Sequence, residues 1–172
     1  NSKAKWIHFD VMDGNFVPNL SFGPDIFKYF KNNSELFMDV HLMVINPKFI
    51  SKLFIDAGAD SIVFPLEALK NEAEGFEIIN YCHEHNVKVG MSIKPNTNVE
   101  GLLPFLDELD LVLIMSVEPG FGGQKFMPDM LEKLKYLRKI KPDLLLQIDG
   151  GIDNTNKEAC YLAGANCLVA GS

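Results

Sequence analysis

Only three cysteines occur among the 172 residues, Cys82, Cys160 and Cys167. Their number is odd, their spacings are wide and they form no CxxC pair, so no disulfide framework is expected and a reducing, cytoplasmic compartment fits best. Clusters of Lys and Arg are missing, and the net charge is −7. Nucleic acid and acidic membrane surfaces are therefore not expected partners. An anionic ligand would have to be held by local backbone amides, since the overall field repels it. No apolar run approaches the ~20 residues that a bilayer span needs. No signal-peptide pattern is visible, although a start at Asn1 rather than methionine leaves room for a removed leader. No GxGxxG follows an early strand, which removes the usual dinucleotide fingerprint. Linkers, low-complexity stretches and charge blocks are absent too, so a single domain over residues 1–172 is expected.

What is present is alternation. Short apolar strands are expected at Lys5 to Asp10, Leu36 to Met43, Ser61 to Phe64, Val87 to Ile93, Leu109 to Met115, Leu144 to Asp149 and Asn166 to Ala170. Helical segments separate them. Asn46-Pro47 opens one, with Asn as cap and Pro at the first helical position. Ile50, Leu53, Phe54 and Ala57 form its apolar stripe, and Gly58 ends it. Pro128 to Ile140 is a second, with Met130, Leu131, Leu134 and Leu137 on one face, and Asp153 to Ala163 is a third, closed by Gly164. Repeated βα units mean parallel strands with helices outside. Polar residues recur at strand C-terminal ends, and only a closed barrel brings many such ends to one centre. A (β/α)8 TIM barrel is therefore favoured over an open doubly wound sheet. Such barrels run from ~200 residues upward, so one strand before Asn1 and one helix after Ser172 are expected beyond this chain.

Three segments carry the candidate chemistry. In His8-Phe9-Asp10-Val11-Met12, residues two apart share a face, so His8, Asp10 and Met12 point one way and Phe9 and Val11 the other. Asp39-Val40-His41-Leu42-Met43 repeats the pattern, with Asp39 deeper in the strand. Gln147-Ile148-Asp149 places a carboxylate at a third strand end. A histidine beside a carboxylate is costly to bury unless paired. Taken alone, the His8 and Asp10 pair reads equally well as a hydrogen-bonded core pair. Together, His8, Asp10, His41 and Asp149 read as a site for one divalent ion: Zn²⁺, Fe²⁺, Mn²⁺ or Co²⁺.

Glycines supply the second signal. Gly120-Phe121-Gly122-Gly123, Gly150-Gly151 and Gly171-Ser172 follow three consecutive strands. Glycine lets backbone N–H groups approach an anion closely, and loops after the last strands are the usual phosphate site of a barrel. Met12, Met43 and Met115 lie at or near strand ends, where they either line the site and exclude water or simply fill the core. Cys82-His83-Glu84-His85 is metal-like in composition, but its two histidines diverge on a helix, and a solvated helix end is the expectation.

The motifs HFDVMDGNFVPNLSFGP, DVHLMV, MSVEPGFGGQKF, IDGGI and AGANCLVAGS resemble the ribulose-5-phosphate 3-epimerase family, in order along nearly the whole chain. The resemblance implies a ribulose-phosphate-binding barrel, a sugar-phosphate substrate and a place in the pentose phosphate pathway. It implies metal ligation by His8, Asp10, His41 and Asp149, with Asp10 as proton acceptor and Asp149 as donor. His8, His41, Gly120 to Gly123, Asp149 to Gly151, Gly171 and Ser172 match the family's substrate and phosphate contacts, and Met12, Met43 and Met115 its lining. Many barrels of this kind associate, so a homo-oligomer is expected. The chain departs from the pattern where Phe64-Pro65-Leu66-Glu67 carries Pro65 in place of a common histidine. Two other readings compete: an epimerase of a related ketose phosphate such as allulose 6-phosphate, and a non-catalytic barrel scaffold. A sister decarboxylase or aldolase would need an Asp-x-Lys-x-x-Asp motif, and Asp39 to Val44 has no lysine.

Overall fold

The computed structural model describes residues 4–171. Its strands are β1 (Trp6–Met12), β2 (Phe37–Met43), β3 (Ser61–Pro65), β4 (Lys88–Ile93), β5 (Leu111–Met115), β6 (Leu145–Asp149) and β7 (Cys167–Val169). They form one seven-stranded sheet in sequence order, and all six pairings are parallel. The helices are α1 (Pro24–Asn32), α2 (Pro47–Asp56), α3 (Glu72–Glu84), α4 (Leu131–Ile140) and α5 (Lys157–Leu162). This is a nearly closed, TIM-barrel-like arrangement of alternating β and α units. Within the described residues β1 and β7 are the two ends of the sheet and are not paired with each other.

Strand parity sorts the side chains into two populations. Phe9 and Val11 of β1, Met38, Val40 and Leu42 of β2, Ile62 and Phe64 of β3, and Leu146 and Ile148 of β6 join the large core between sheet and helices. Their neighbours at the alternate positions face the other side. There Val63, Leu111, Leu113, Met115 and Val117 form a separate, smaller apolar cluster. Aromatic rings fasten the outer layer at the start of the chain: Phe9 and Phe27 meet edge to face at 5.0 Å, and Phe27 meets Phe54 at 5.4 Å. Each such buried ring contributes roughly 1.5–3 kcal/mol of transfer free energy. The inner layer packs around a missing side chain, because a Cβ on Gly90 would lie 2.5 Å from Leu111 Cγ.

The element boundaries depart from the sequence expectations for local reasons. β1 runs two residues past Asp10, because Met12 still pairs with Met43. Between β4 and β5 the chain forms only a 3₁₀ turn at Val99–Leu102 rather than a full helix. The helix expected from Asp153 begins at Lys157, since the Asp153 carboxylate accepts from Thr155 N and Oγ1 in a tight turn. Pro128–Met130 is likewise a 3₁₀ turn leading into α4. α2 starts where the sequence places it, with Asn46 Oδ1 accepting from Phe49 N at 3.3 Å. No helix among the described residues is long and apolar enough to cross a membrane.

Candidate active site

The register of β1 on β2 places His8 beside Asp39, Asp10 beside His41 and Met12 beside Met43. All are inward positions, by the parity that sends Phe9 and Val11 outward. β6 adds Gln147 and Asp149 on the same side. The result is a cluster in which His8, Asp10, His41 and Asp149 each offer one ligand atom, all within 4.8 Å of one another. His8 Nε2 lies 3.3 Å from Asp10 Oδ1 and 3.9 Å from Asp149 Oδ2. His41 Nδ1 lies 3.1 Å from Asp10 Oδ1.

The fit of a cation can be judged from the donors themselves. His8 Nε2 is buried and makes no hydrogen bond. Two imidazole nitrogens and two carboxylates converge, which is a donor set that suits a divalent ion of borderline hardness. The group could thus hold a metal ion. Without one, the charges perturb each other. Burial alone would lower the basicity of His8, but the carboxylates of Asp10 and Asp39 outweigh it and push its pKa up to about 10. Burial works against ionised Asp10 as well, yet the imidazoles of His41 and His8 hold its carboxyl far below the ordinary range. Asp149 moves the other way: burial raises it, and the charge on Asp10 raises it further.

These groups open onto a cavity of about 1050 Å³. Its wall includes Gly120, Phe121, Gly122 and Gly123 after β5, Gly150 and Gly151 after β6, and Gly171 after β7. Met12, Met43 and Met115 also line it, while His41 sits outside that lining, 1% exposed. Ser172 lies outside the described residues. Gly151 shows why glycine is needed here. Its φ is +65°, and a Cβ would come within 2.6 Å of Phe126 N and 2.8 Å of Gln124 O.

The loop after β1 packs against Gly120 of the cavity wall. The Asp13 carboxylate accepts from Asn15 N, Phe16 N and Ile45 N, each at 2.8 Å. Asn19 Nδ2 reaches Gly120 O across the top at 2.8 Å, and Lys94 Nζ rests 4.1 Å above the Phe16 ring. Glu67, two residues after Pro65, accepts from Lys94 N at 2.6 Å and from the Thr97 hydroxyl. These ties join the ends of β1, β2, β3, β4 and β5.

Sequence reasoning gave no role to three residues of the inner layer. Asp39, wholly buried, accepts from His8 Nδ1 at 2.7 Å, Gln147 Nε2 at 2.7 Å and Ser61 Oγ at 2.5 Å. The signal for all three was parity: Asp39 lies two before His41, Gln147 two before Asp149, and Ser61 is in register with Asp39. The second histidine group is a helix end, as expected. His83 reaches Asp110 at 3.3 Å, and His85 Nδ1 lies 2.8 Å from Tyr81 O, both exposed.

Similarity to known proteins settles the family. The model of the ribulose-phosphate 3 epimerase family matches residues 1–172. The chain belongs to this family. A ribulose-phosphate 3-epimerase of Schizosaccharomyces pombe is 46% identical over 172 residues, covering 98% of this chain and 74% of that protein. The cytoplasmic isoform of Oryza sativa subsp. japonica is 41% identical, covering 98% and 75%. In structure, the 3-hexulose-6-phosphate synthase of Salmonella typhimurium superposes with a TM-score of 0.70 at 14% identity, over 98% of this chain and 89% of that one. Identity that low speaks for the barrel fold alone.

Proposed function

We propose that this chain, as a single barrel domain, interconverts D-ribulose 5-phosphate and D-xylulose 5-phosphate by moving the proton at C3. The observation that carries this reading, in a member of this family, is the convergence of two aspartates and two histidines at one point. The same catalytic set would serve a related ketose phosphate, and the family's named relatives favour the pentose.

His8, Asp10, His41 and Asp149 would hold one divalent ion: zinc, iron, manganese or cobalt. When bound, the ion supplies Lewis-acid stabilisation of the charge that develops on the ketone oxygen. Asp10, strongly favoured in its ionised form, accepts the C3 proton on one face of the sugar, leaving an enediolate. Asp149, whose acidity burial weakens, returns a proton on the opposite face, and the configuration inverts. Carboxyl groups whose environments push their affinities for protons apart suit paired acid and base roles. In the reverse direction the roles exchange. Asp10 is a weak base, so the enediolate needs strong stabilisation, which preorganised charges in this partly buried cluster would supply. The backbone N–H groups of the glycine loops at 120–123, 150–151 and 171–172 would hold the phosphate, and the three methionines would keep water from the reacting carbon. A cytoplasmic setting and a homo-oligomeric assembly complete the reading.

The test is exchange of solvent deuterium into ribulose 5-phosphate. Label is expected at C3 with the native protein, and treatment with a strong chelator should abolish exchange while phosphate binding persists. Exchange that continues at the original rate in the demonstrably metal-free protein would sink the cation's role. Native, metal-loaded protein that exchanges no label at all would sink the epimerase reading itself.

A further inference from the structure

Asp39 has no part in the proton transfer proposed above, yet it is an acid side chain that is 0% exposed. Burying an unpaired carboxylate costs several kcal/mol, so each of its contacts matters. Those contacts come from three other strands: His8 on β1, Ser61 on β3 and Gln147 on β6. The Ser61 hydroxyl takes Oδ1, while His8 Nδ1 and the Gln147 amide share Oδ2. Both oxygens are thereby fixed, and the carboxylate cannot turn.

The consequence falls on His8. An ionised carboxylate only accepts hydrogen bonds, so Nδ1 must carry a hydrogen. The other nitrogen, Nε2, is then the one left to face a cation. Nε2 is the atom that is buried without a hydrogen-bond partner and that faces Asp10 and Asp149. Facing two carboxylates, Nε2 needs something positive there, and a bound cation would take the place of its proton. The ring of His41 is set differently, through Asp10 itself.

We infer that Asp39 is a positioning residue: held by Ser61 and Gln147, it fixes the ring and the tautomer of His8 so that Nε2 is presented to the cation. This rests on the metal-dependent reading above. Partners of this kind on a ligating histidine typically matter 10–100-fold in metal affinity.

Zinc affinity of the full chain, measured by competition with a chromophoric chelator, tests this. Asp39→Asn is expected to weaken zinc binding by about 10–100-fold, and Ser61→Ala to weaken it less, in the same direction. Thermal unfolding of each metal-free variant establishes that it is folded. A folded Asp39→Asn protein that binds zinc as tightly as the native one would overturn the inference. Should that variant not fold, ¹⁵N NMR of the zinc-loaded native protein decides. A hydrogen on Nδ1 of His8 with zinc on Nε2 supports the assignment, and zinc on Nδ1 refutes it. A native chain that takes up no zinc would refute the metal reading first, which is a different result from native uptake that Asp39→Asn leaves intact.

Discussion

The two sides of the cavity are built by different rules. On the β1–β2 side, His8, Asp10 and His41 hang from regular, paired strands and are held by side-chain contacts to buried partners. On the opposite side, the loops after β5 and β6 offer mainly backbone, and Phe121 at the tip is 56% exposed. The difference follows from what the proposed function asks of each. Proton transfer needs side chains fixed to within fractions of an ångström, which rigid strands and buried hydrogen bonds provide. Holding a phosphate needs close approach of amides, which glycine provides by having no side chain. Asp149 belongs to both, since it stands at the end of β6 immediately before Gly150.

The contrast predicts a hierarchy of mutational effects. The largest belong to the carboxylates: Asp10→Asn and Asp149→Asn should each lower kcat by about 10²–10⁴-fold, measured in a coupled epimerase assay. An effect confined to KM would mean that these residues bind rather than react. Next comes Gly151→Ala. Its Cβ would collide with backbone at Phe126 and Gln124, and its φ of +65° adds strain. We expect KM for the phosphorylated substrate to rise about tenfold or more, from roughly 1–3 kcal/mol of strain. Gly122→Ala, where nothing lies within 4 Å of the added carbon, should change stability by no more than about 0.5 kcal/mol. Equal KM effects at 122 and 151 would mean that the loop merely needs to be flexible.

The smallest effect is on stability and depends on pH. Although burial opposes it, the backbone N–H groups of Ile45, Phe16 and Asn15 hold the Asp13 carboxyl below its ordinary 3.8. A carboxyl that is more acidic in the folded state stabilises the fold above its unfolded pKa, and that contribution disappears as pH falls through the folded one. Asp13→Asn should therefore unfold at a lower temperature than the native chain at pH 7. The gap should narrow as pH falls below 3.8, followed by scanning calorimetry. A gap that stays constant with pH would show that the loop does not depend on this charge.

Much of this was legible in the sequence, because strand parity is a short-range property. Two-residue spacing alone placed His8, Asp10 and Met12 opposite Phe9 and Val11, and the structure distributes them that way. What parity could not supply is which inward residues meet. Asp39 and Gln147 are 108 positions apart, and their hydrogen bond exists only because the sheet curls until β2 faces β6. The late start of α5 was hidden for another reason: the Asp153 carboxylate competes for backbone N–H groups that a helix would otherwise use. The loop crossing from Asn19 to Gly120 likewise has no local signature.

The strict alternation along β1 also limits how this protein can change in length. Removing one residue early in β1 would turn Phe9 and Val11 toward the cavity and drive ionisable groups against Phe27 and its neighbours, spoiling packing and site in a single step. Point substitutions in this stretch can be graded, but a frame-preserving codon loss cannot. Tolerance for insertions and deletions must lie in the connections between strands and helices, where a shift of one position leaves both faces of the barrel wall as they were.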